Sequence, residues 1–133
     1  MPTRSMKLEL FFFSFVGITG FITDAAVVFS LTSIGANDIL AQAIAFSISV
    51  TVTWLLNRKF TFAQHASPNW LRELVHYVAA NSVGAAVNNG LYVVLILTMA
   101  IFSREPVLAV AVGSLAGLVF NFTASRTLVF RSR

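Results

Sequence analysis

The sequence contains no cysteine among its 133 residues. This absence excludes a disulfide-stabilised scaffold, a zinc site with thiolate ligands and a catalytic thiol. Charge is also scarce, because Asp, Glu, Lys and Arg make up only 11% of the residues, against about 25% in soluble domains. So few ions do not cover the surface of a soluble globular protein. The length excludes a multidomain enzyme.

The few charges that exist are segregated along the chain. Between Leu10 and Leu56 the only charged residues are Asp24 and Asp38, and residues 74–103 and 106–125 carry no charge at all. The apolar fraction is 57%. A helix of about 20 apolar residues crosses the hydrocarbon core of a bilayer. The pattern therefore predicts a polytopic membrane protein.

We predict four transmembrane helices. Their approximate limits are residues 10–32, 39–56, 76–100 and 106–125. Helix is the only suitable structure, because a span in lipid must satisfy its backbone internally and four strands do not close a barrel. The predicted fold class is an all-α membrane protein.

Basic residues outside these spans are distributed unequally. One side of the membrane receives eight of the nine Lys and Arg residues, and the other side receives only Arg104. By the positive-inside rule, both termini and the central loop 57–75 are expected in the cytoplasm. In that loop, Ser67-Pro68 predicts the start of a short interfacial helix that leads into the third span. The eight residues are Arg4, Lys7, Arg58, Lys59, Arg72, Arg126, Arg131 and Arg133.

The two halves of the sequence share short patterns. Val16-Gly17 near the start of the first span recurs as Val83-Gly84 in the third. Trp54-x-x-Asn57-Arg58-x-x-x-Phe62 recurs as Phe122-x-x-Ser125-Arg126-x-x-x-Phe130, with nearly the same separation along the chain.

These repeats predict a tandem architecture. Because each hairpin starts and ends on the same side, the four helices are expected to form two tandem parallel helical hairpins, related by an axis along the membrane normal. Repeat 1 covers about residues 6–62 and repeat 2 about residues 70–130, within a single transmembrane domain of residues 1–133. On this alignment Asp24 corresponds to Leu91.

The same residues carry a family resemblance. Phe13-Ser14-Phe15-Val16-Gly17, Asp24 and Asn57-Arg58-Lys59-Phe60-Thr61-Phe62 resemble the GtrA-like family of small four-helix membrane proteins. Phe120-Asn121-Phe122 followed by Ser125-Arg126 is similar to the second-hairpin ending of that family. The resemblance implies movement of a polyprenyl-phosphate-linked monosaccharide across the bacterial inner membrane for cell-surface glycan modification. It also implies a membrane glycosyltransferase as a partner.

Asp24 is the most costly residue to place in a membrane. An ionised Asp at the bilayer centre costs about 2.5–3.5 kcal/mol on insertion scales. At 100° per residue, Asp24 shares a stripe with Phe13, Gly17 and Gly20, and the glycines allow close approach of a helix or ligand. We interpret Asp24 as a proton-coupling or sugar-binding residue. The alternative is a neutral Asp hydrogen-bonded between helices.

Amide and guanidinium side chains complete the predicted substrate-binding set. Asn81 and Asn88 share a stripe of the third span, and Asn121 lies near the end of the fourth. Their amides suit sugar hydroxyls, or serve only as hydrogen bonds between helices.

The two repeated arginines are placed for a phosphate. Arg58 and Arg126 end the second and fourth spans at equivalent positions, where paired guanidinium forks suit a phosphate or pyrophosphate. Asn57, which precedes Arg58 in the motif, joins the predicted substrate-binding set. Snorkelling anchors are the alternative interpretation of the arginines.

The predicted function is that of a flippase or translocation component for a polyprenyl-phosphate-linked monosaccharide. The expected partners are that lipid, membrane lipids, a glycosyltransferase and a second copy of the chain, because four helices barely enclose a path. No nucleic acid, cofactor, metal site or catalytic residue is predicted. Two alternatives stay open: a non-transporting partner of a glycosyltransferase, and a small proton-coupled cation exporter that uses Asp24.

Overall fold

The computed structural model describes residues 5–130, and every regular element in this range is helical. Arg4, Arg131 and Arg133, which enter the topology prediction, lie outside the described residues. The helices are α1 (Met6–Ser33), α2 (Asp38–Leu56), α3 (Trp70–Thr98), α4 (Ala100–Arg104) and α5 (Pro106–Ala124). Two π-helical turns, Asn57–Thr61 and Ser125–Val129, continue α2 and α5, and a 3-10 turn covers Ala63–His65.

Four helical segments are long and apolar enough to cross a membrane. They are Met6–Ser33, Asp38–Thr61, Trp70–Thr98 and Pro106–Val129. The prediction of an all-α membrane protein with four transmembrane helices is therefore confirmed. The sidedness of the termini and the axis that relates the hairpins stay predictions.

Local sequence determines where these helices begin. The Ser5 hydroxyl accepts a hydrogen bond from the Leu8 amide at 3.3 Å, and so caps α1. The Asn37 side chain caps α2 by accepting from the Ile39 amide at 2.8 Å. Gly35, at a φ of +92°, makes the tight connection between them, a conformation that favours glycine.

The separate interfacial helix predicted after Ser67-Pro68 does not form. Instead, α3 begins at Trp70 and continues without interruption to Thr98. The reason is that no Gly or Pro interrupts the helix before Gly84. The Ser67 hydroxyl accepts from the Asn69 amide at 3.1 Å, just ahead of the helix.

The chain divides into two compact units at Trp70, between the two predicted repeats. The first unit, hairpin 1, contains α1 and α2. Here Gly20 lies so close to α2 that a Cβ on it would collide with the Thr53 side chain. The Ser49 hydroxyl donates to the Gly20 carbonyl at 2.8 Å. Small residues therefore set the approach of the two helices, as expected for membrane helix packing.

The second unit, hairpin 2, contains α3, α4 and α5. Gly84 of α3 lies against the Asn121 side chain of α5. In the opposite direction, Gly113 and Gly117 of α5 lie against Asn88 of α3. A Cβ on Gly113 would come within 2.7 Å of the Asn88 carbonyl oxygen. This contact between α3 and α5 therefore depends on glycine on both helices.

The contacts correct the predicted alignment of the first helix of each hairpin. Gly17 is exposed and would meet nothing within 4 Å, whereas Gly84 is buried. It is Gly20 that corresponds to Gly84, because each meets an α2 or α5 residue at equivalent positions, Thr53 and Asn121. On the corrected alignment, Asp24 corresponds to Asn88 and not to Leu91. The error arose because a Val-Gly pair is a weaker marker than the buried glycine itself.

Candidate functional site

Each hairpin ends its second long helix in a π turn. The Phe62 amide donates to the Asn57 carbonyl at 2.8 Å, and the Phe130 amide donates to the Ser125 carbonyl at 2.7 Å. Such i to i+5 turns occur frequently at functional sites. Arg58 and Arg126 lie within these turns. The same irregular backbone therefore carries the arginine of both hairpins.

A buried aromatic side chain anchors each π turn to the first helix of its hairpin. Phe62 is 1% exposed, and its ring centroid lies 6.2 Å from that of Phe13. Phe130 is fully buried, and its ring lies 6.2 Å from that of Tyr77. Edge and tilted ring pairs at this distance are favourable. The two turns are thus held in the same way.

The guanidinium of Arg58 is held in place by its surroundings. Its Nη2 donates to the Ser67 carbonyl at 3.0 Å. The guanidinium carbon lies 5.8 Å from the centre of the Trp54 ring, within cation–π range. Trp54 in turn contacts Trp70, with ring centroids 6.3 Å apart. Arg58 is therefore positioned at the end of its span, and it is only partly buried.

Arg126 and Lys59 differ in their surroundings. Arg126 is partly buried in the second π turn, as Arg58 is in the first. Lys59 is exposed, and its ammonium lies 5.5 Å from the ring centre of Phe60. This placement suits Lys59 for an interfacial anchor.

Asn57 is a structural neighbour of Arg58. It is 1% exposed, and its Oδ1 accepts a hydrogen bond from the Thr61 hydroxyl at 2.8 Å. Thr61 is also 1% exposed. This buried bond spans the π turn from its first to its last residue. It favours a role for Asn57 in holding the turn, and a direct contact with substrate stays a prediction.

Asp24 lies far from the arginine of its own hairpin. It is partly buried, and both carboxylate oxygens accept long hydrogen bonds from Gln42, at 3.4 and 3.5 Å. Gln42 precedes Arg58 by 16 residues of helix, which is roughly 24 Å at the rise of an α-helix. Asp24 and Arg58 therefore do not form one cluster. A polar ligand that met both would have to travel along the hairpin.

Three of the four predicted asparagines, all except Asn57, belong to hairpin 2. Asn81 donates to the Tyr77 carbonyl one turn earlier, at 3.0 Å. Asn88 packs on Gly113 and Gly117, and Asn121 packs on Gly84. Asn88 and Asn121 thus lie one after the other along the contact between α3 and α5. The structure brings these two together, with Arg126 one to two turns beyond Asn121.

Two carboxylic acids were missed by the sequence reasoning. Glu9 is 3% exposed and Glu73 is 2% exposed, at the start of α1 and α3 respectively. Each precedes by four residues the aromatic that packs on a π turn, Phe13 or Tyr77. The recurrence of Glu-x-x-x-aromatic, in the alignment that pairs Gly20 with Gly84, was the available signal.

Glu9 also contributes to a small cavity within hairpin 1. The cavity has a volume of about 10 Å³. It is lined by Glu9, Thr61, Phe62, Ala63, Gln64 and His65. Within residues 5–130, no three His, Asp or Glu side chains lie together as metal ligands would.

Comparison with protein families accounts for nearly the whole chain. Residues 12–130 match the family model described as GtrA/DPMS, transmembrane domain. The chain belongs to this family. No curated protein matches it. The GtrA/DPMS match covers all but the first residues of hairpin 1, all of hairpin 2 from α3 onward and both π turns, so the predicted family resemblance is confirmed. Four apolar helices together with this domain make the chain a multi-pass membrane protein.

Proposed function

We propose that this GtrA/DPMS protein is a translocation component for a polyprenyl-phosphate-linked monosaccharide in the bacterial inner membrane, for the modification of cell-surface glycans. The observation that carries the proposal is the arginine in each π turn, Arg58 and Arg126, at the end of a membrane-spanning segment. The family supports the lipid class. No catalytic step is assigned to the chain.

The proposed mechanism separates the three parts of the lipid. A guanidinium presents two parallel N–H donors that match phosphate oxygens, which an ammonium does not. Arg58 and Arg126 each offer the phosphate such a fork at the cytoplasmic end of their own hairpin. The polyprenyl tail stays in the bilayer. The sugar moves past polar side chains such as Asn88 and Asn121, which offer both donors and acceptors to its hydroxyls.

The proposal extends to the assembly. Each hairpin has only two long helices, and many of their large apolar side chains are exposed, such as Phe21, Phe29 and Leu97. Two copies would provide eight spans, enough to shelter a polar headgroup. The expected glycosyltransferase partner supplies the lipid-linked sugar on the cytoplasmic side, where both termini are expected.

Reconstitution tests this proposal. Proteoliposomes that contain the parent protein should translocate a short-chain polyprenyl-phosphate hexose, measured by its accessibility to an impermeant periodate reagent. Arg58→Lys and Arg126→Lys should each reduce the rate although charge is preserved. Arg72→Lys, at an exposed position of α3, is the matched control and should keep the parent rate.

Two results would contradict the proposal in different ways. Folded parent protein that never accelerates translocation would favour a docking role beside a glycosyltransferase. Lys variants that translocate as fast as the parent would reduce the two arginines to topological anchors.

A further inference from the structure

The polar side chains along the helix contact of hairpin 1 all form hydrogen bonds within that hairpin. Ser49 donates to the Gly20 carbonyl at 2.8 Å, and Thr53 donates to the Val50 carbonyl at 3.1 Å. One turn further, Asn57 accepts from Thr61. The polar residues on this face of α2 therefore have partners within the hairpin.

The corresponding positions of hairpin 2 lack these hydrogen bonds. Gly117 stands where hairpin 1 has Ser49, so it has no hydroxyl to offer the Gly84 carbonyl. Val129 stands where hairpin 1 has Thr61, and it has no hydroxyl for Ser125. Asn121 Oδ1 and Ser125 Oγ are both buried and have no hydrogen-bond partner within residues 5–130. A buried polar group without a hydrogen-bond partner destabilises the fold.

The two unpartnered atoms have complementary requirements. Asn121 Oδ1 only accepts, so it requires a donor, and the Ser125 hydroxyl requires an acceptor for its proton. Asn121 lies in the last turn of α5 and Ser125 begins the π turn that continues it, so the two residues are four apart and share a face. A single O–H group satisfies both atoms, because it donates to one and accepts from the other. A phosphate oxygen without a proton satisfies only Ser125.

We infer that Asn121 and Ser125 form a hydroxyl-binding subsite, and that its occupant is a hydroxyl of the translocated sugar. The inference rests on the proposed function. Arg126 directly follows Ser125, so a phosphate on Arg126 carries its sugar next to this subsite. Asn121 as a residue is only partly buried, and its amide rests on a glycine without a Cβ. Ser125 is 0% exposed and both unpartnered atoms are buried, so the occupant reaches them only when the Asn121 side chain rotates away from Gly84.

Binding of two lipids tests the subsite. The probes are a short-chain polyprenyl-phosphate hexose and the same polyprenyl phosphate without sugar, titrated into detergent-solubilised protein and measured by native mass spectrometry. Ser125→Ala and Asn121→Ala should each weaken binding of the sugar lipid about 5- to 10-fold, the loss expected for about one hydrogen bond. Binding of the sugar-free lipid should change less than about twofold. Thr53→Val, the equivalent position in hairpin 1, should leave both affinities unchanged.

Each other outcome has a defined meaning. Equal weakening for both lipids would show that the variants disturb the phosphate site, and would overturn the subsite. Unchanged affinities for both lipids would show that no sugar hydroxyl occupies the subsite, and would also overturn it. Heat stability of Ser125→Ala then tells what is there: a more stable variant means an unsatisfied hydroxyl, and a less stable one means a hydroxyl bonded to water. A parent that binds neither lipid would instead refute the proposed function. Ser125→Ala removes a single oxygen, so it decides the matter even if Asn121→Ala fails to fold.

Discussion

The two hairpins share one scaffold but pack their helices differently. At three successive contact positions, hairpin 1 has Ala45, Ser49 and Thr53, whereas hairpin 2 has Gly113, Gly117 and Asn121. In hairpin 1 the Ser49 hydroxyl donates across the contact to the Gly20 carbonyl, and the Thr53 hydroxyl donates within α2 to the Val50 carbonyl. In hairpin 2 the glycines bring the backbones of α3 and α5 close together, and the Asn88 and Asn121 side chains occupy the space where a Cβ would lie. The polar side chains at the contact of hairpin 1 thus have hydrogen-bond partners within the hairpin, whereas Asn121 Oδ1 and Ser125 Oγ of hairpin 2 have none within residues 5–130.

What the hairpins have in common is equally informative. Both keep a buried glutamate, a buried aromatic pair and a π turn that carries an arginine. These features lie at the same end of each hairpin. The differences lie in the helix contact leading to that end and in the side-chain pair of the turn itself, which is Asn57 and Thr61 in hairpin 1 but Ser125 and Val129 in hairpin 2. We infer that the turn is the shared phosphate-binding element, and that the contact face is where the hairpins have specialised.

The largest effect is expected from adding one methyl group to hairpin 2. Gly113→Ala places a Cβ within 2.7 Å of the Asn88 carbonyl oxygen, which belongs to the backbone of α3 and does not rotate away. Hairpin 1 accepts alanine at the equivalent Ala45. Overpacking of this kind costs about 1–3 kcal/mol, and we expect the upper part of that range. Thermal unfolding in detergent measures it.

A glycine in open space provides the control. Gly90→Ala, in α3, would meet nothing within 4 Å and should be neutral or slightly stabilising. Equal stability of Gly113→Ala and Gly90→Ala would mean that the helices of hairpin 2 are not in close contact at Gly113.

The second effect is expected from removing the carboxylate of hairpin 1. Asp24→Asn gives hairpin 1 the side chain that hairpin 2 carries at the corresponding Asn88. Because asparagine keeps the size of the residue, stability should fall by no more than about 1 kcal/mol. A residue that must ionise or carry a proton is not replaced in this way, so translocation should fall at least about tenfold. The proteoliposome assay and a size-exclusion profile measure the two quantities together.

Asp38→Asn controls for the loss of one negative charge. Asp38 is exposed at the start of α2, so its variant should translocate at the parent rate. A stable Asp24→Asn protein with the parent rate would show that the charge of Asp24 is dispensable. If the Asp24→Asn protein does not fold, the role of Asp24 is structural.

Most of the fold could be predicted from the sequence, because hydropathy and charge decide membrane insertion directly. Four apolar runs, of which only the first contains a charged residue, predicted four spans, and the spans observed agree within a few residues at most ends. The repeat of Arg58 at Arg126 correctly indicated equivalent positions. These signals are local in the chain, so no knowledge of packing was needed.

The details of the site could not be predicted, because they depend on which residues face each other. Glu9 reads as an ordinary interfacial acid until its burial is known. The sequence Asn57-Arg58 does not by itself predict a π turn, because the backbone of that turn is stabilised by Phe62, which packs against Phe13 of α1. The repeat alignment failed for the same reason, because Gly17 and Gly20 are distinguished only by their contacts.

A smaller effect is expected from opening the side-chain bond of hairpin 1. Thr61→Val removes the hydroxyl that donates to Asn57 at 2.8 Å, and so makes hairpin 1 resemble hairpin 2 at this position. The loss of one buried hydrogen bond costs about 1 kcal/mol. Thermal unfolding should show this decrease, whereas Thr51→Val, an exposed threonine bonded to the Ser47 carbonyl, should show less. If both variants lose equally, the bond across the π turn has no special role.

The smallest effect is expected from the reverse exchange. Val129→Thr introduces the hydroxyl that hairpin 1 has at Thr61, next to the unpartnered Ser125. The two side chains are close in volume, so packing is kept, and the new hydroxyl supplies Ser125 with a partner. We expect stability to change by no more than about 0.5 kcal/mol, because serine is shorter than Asn57 and the new bond offsets only part of the cost of burying a hydroxyl.

The informative measurement is the coupling in a double-mutant cycle with Ser125→Ala. If Val129→Thr is tolerated with Ser125 but costs about 1 kcal/mol more with alanine there, the two hydroxyls interact. No coupling would mean that Ser125 is satisfied from elsewhere, and that the contrast between the hairpins does not extend to the end of the π turn.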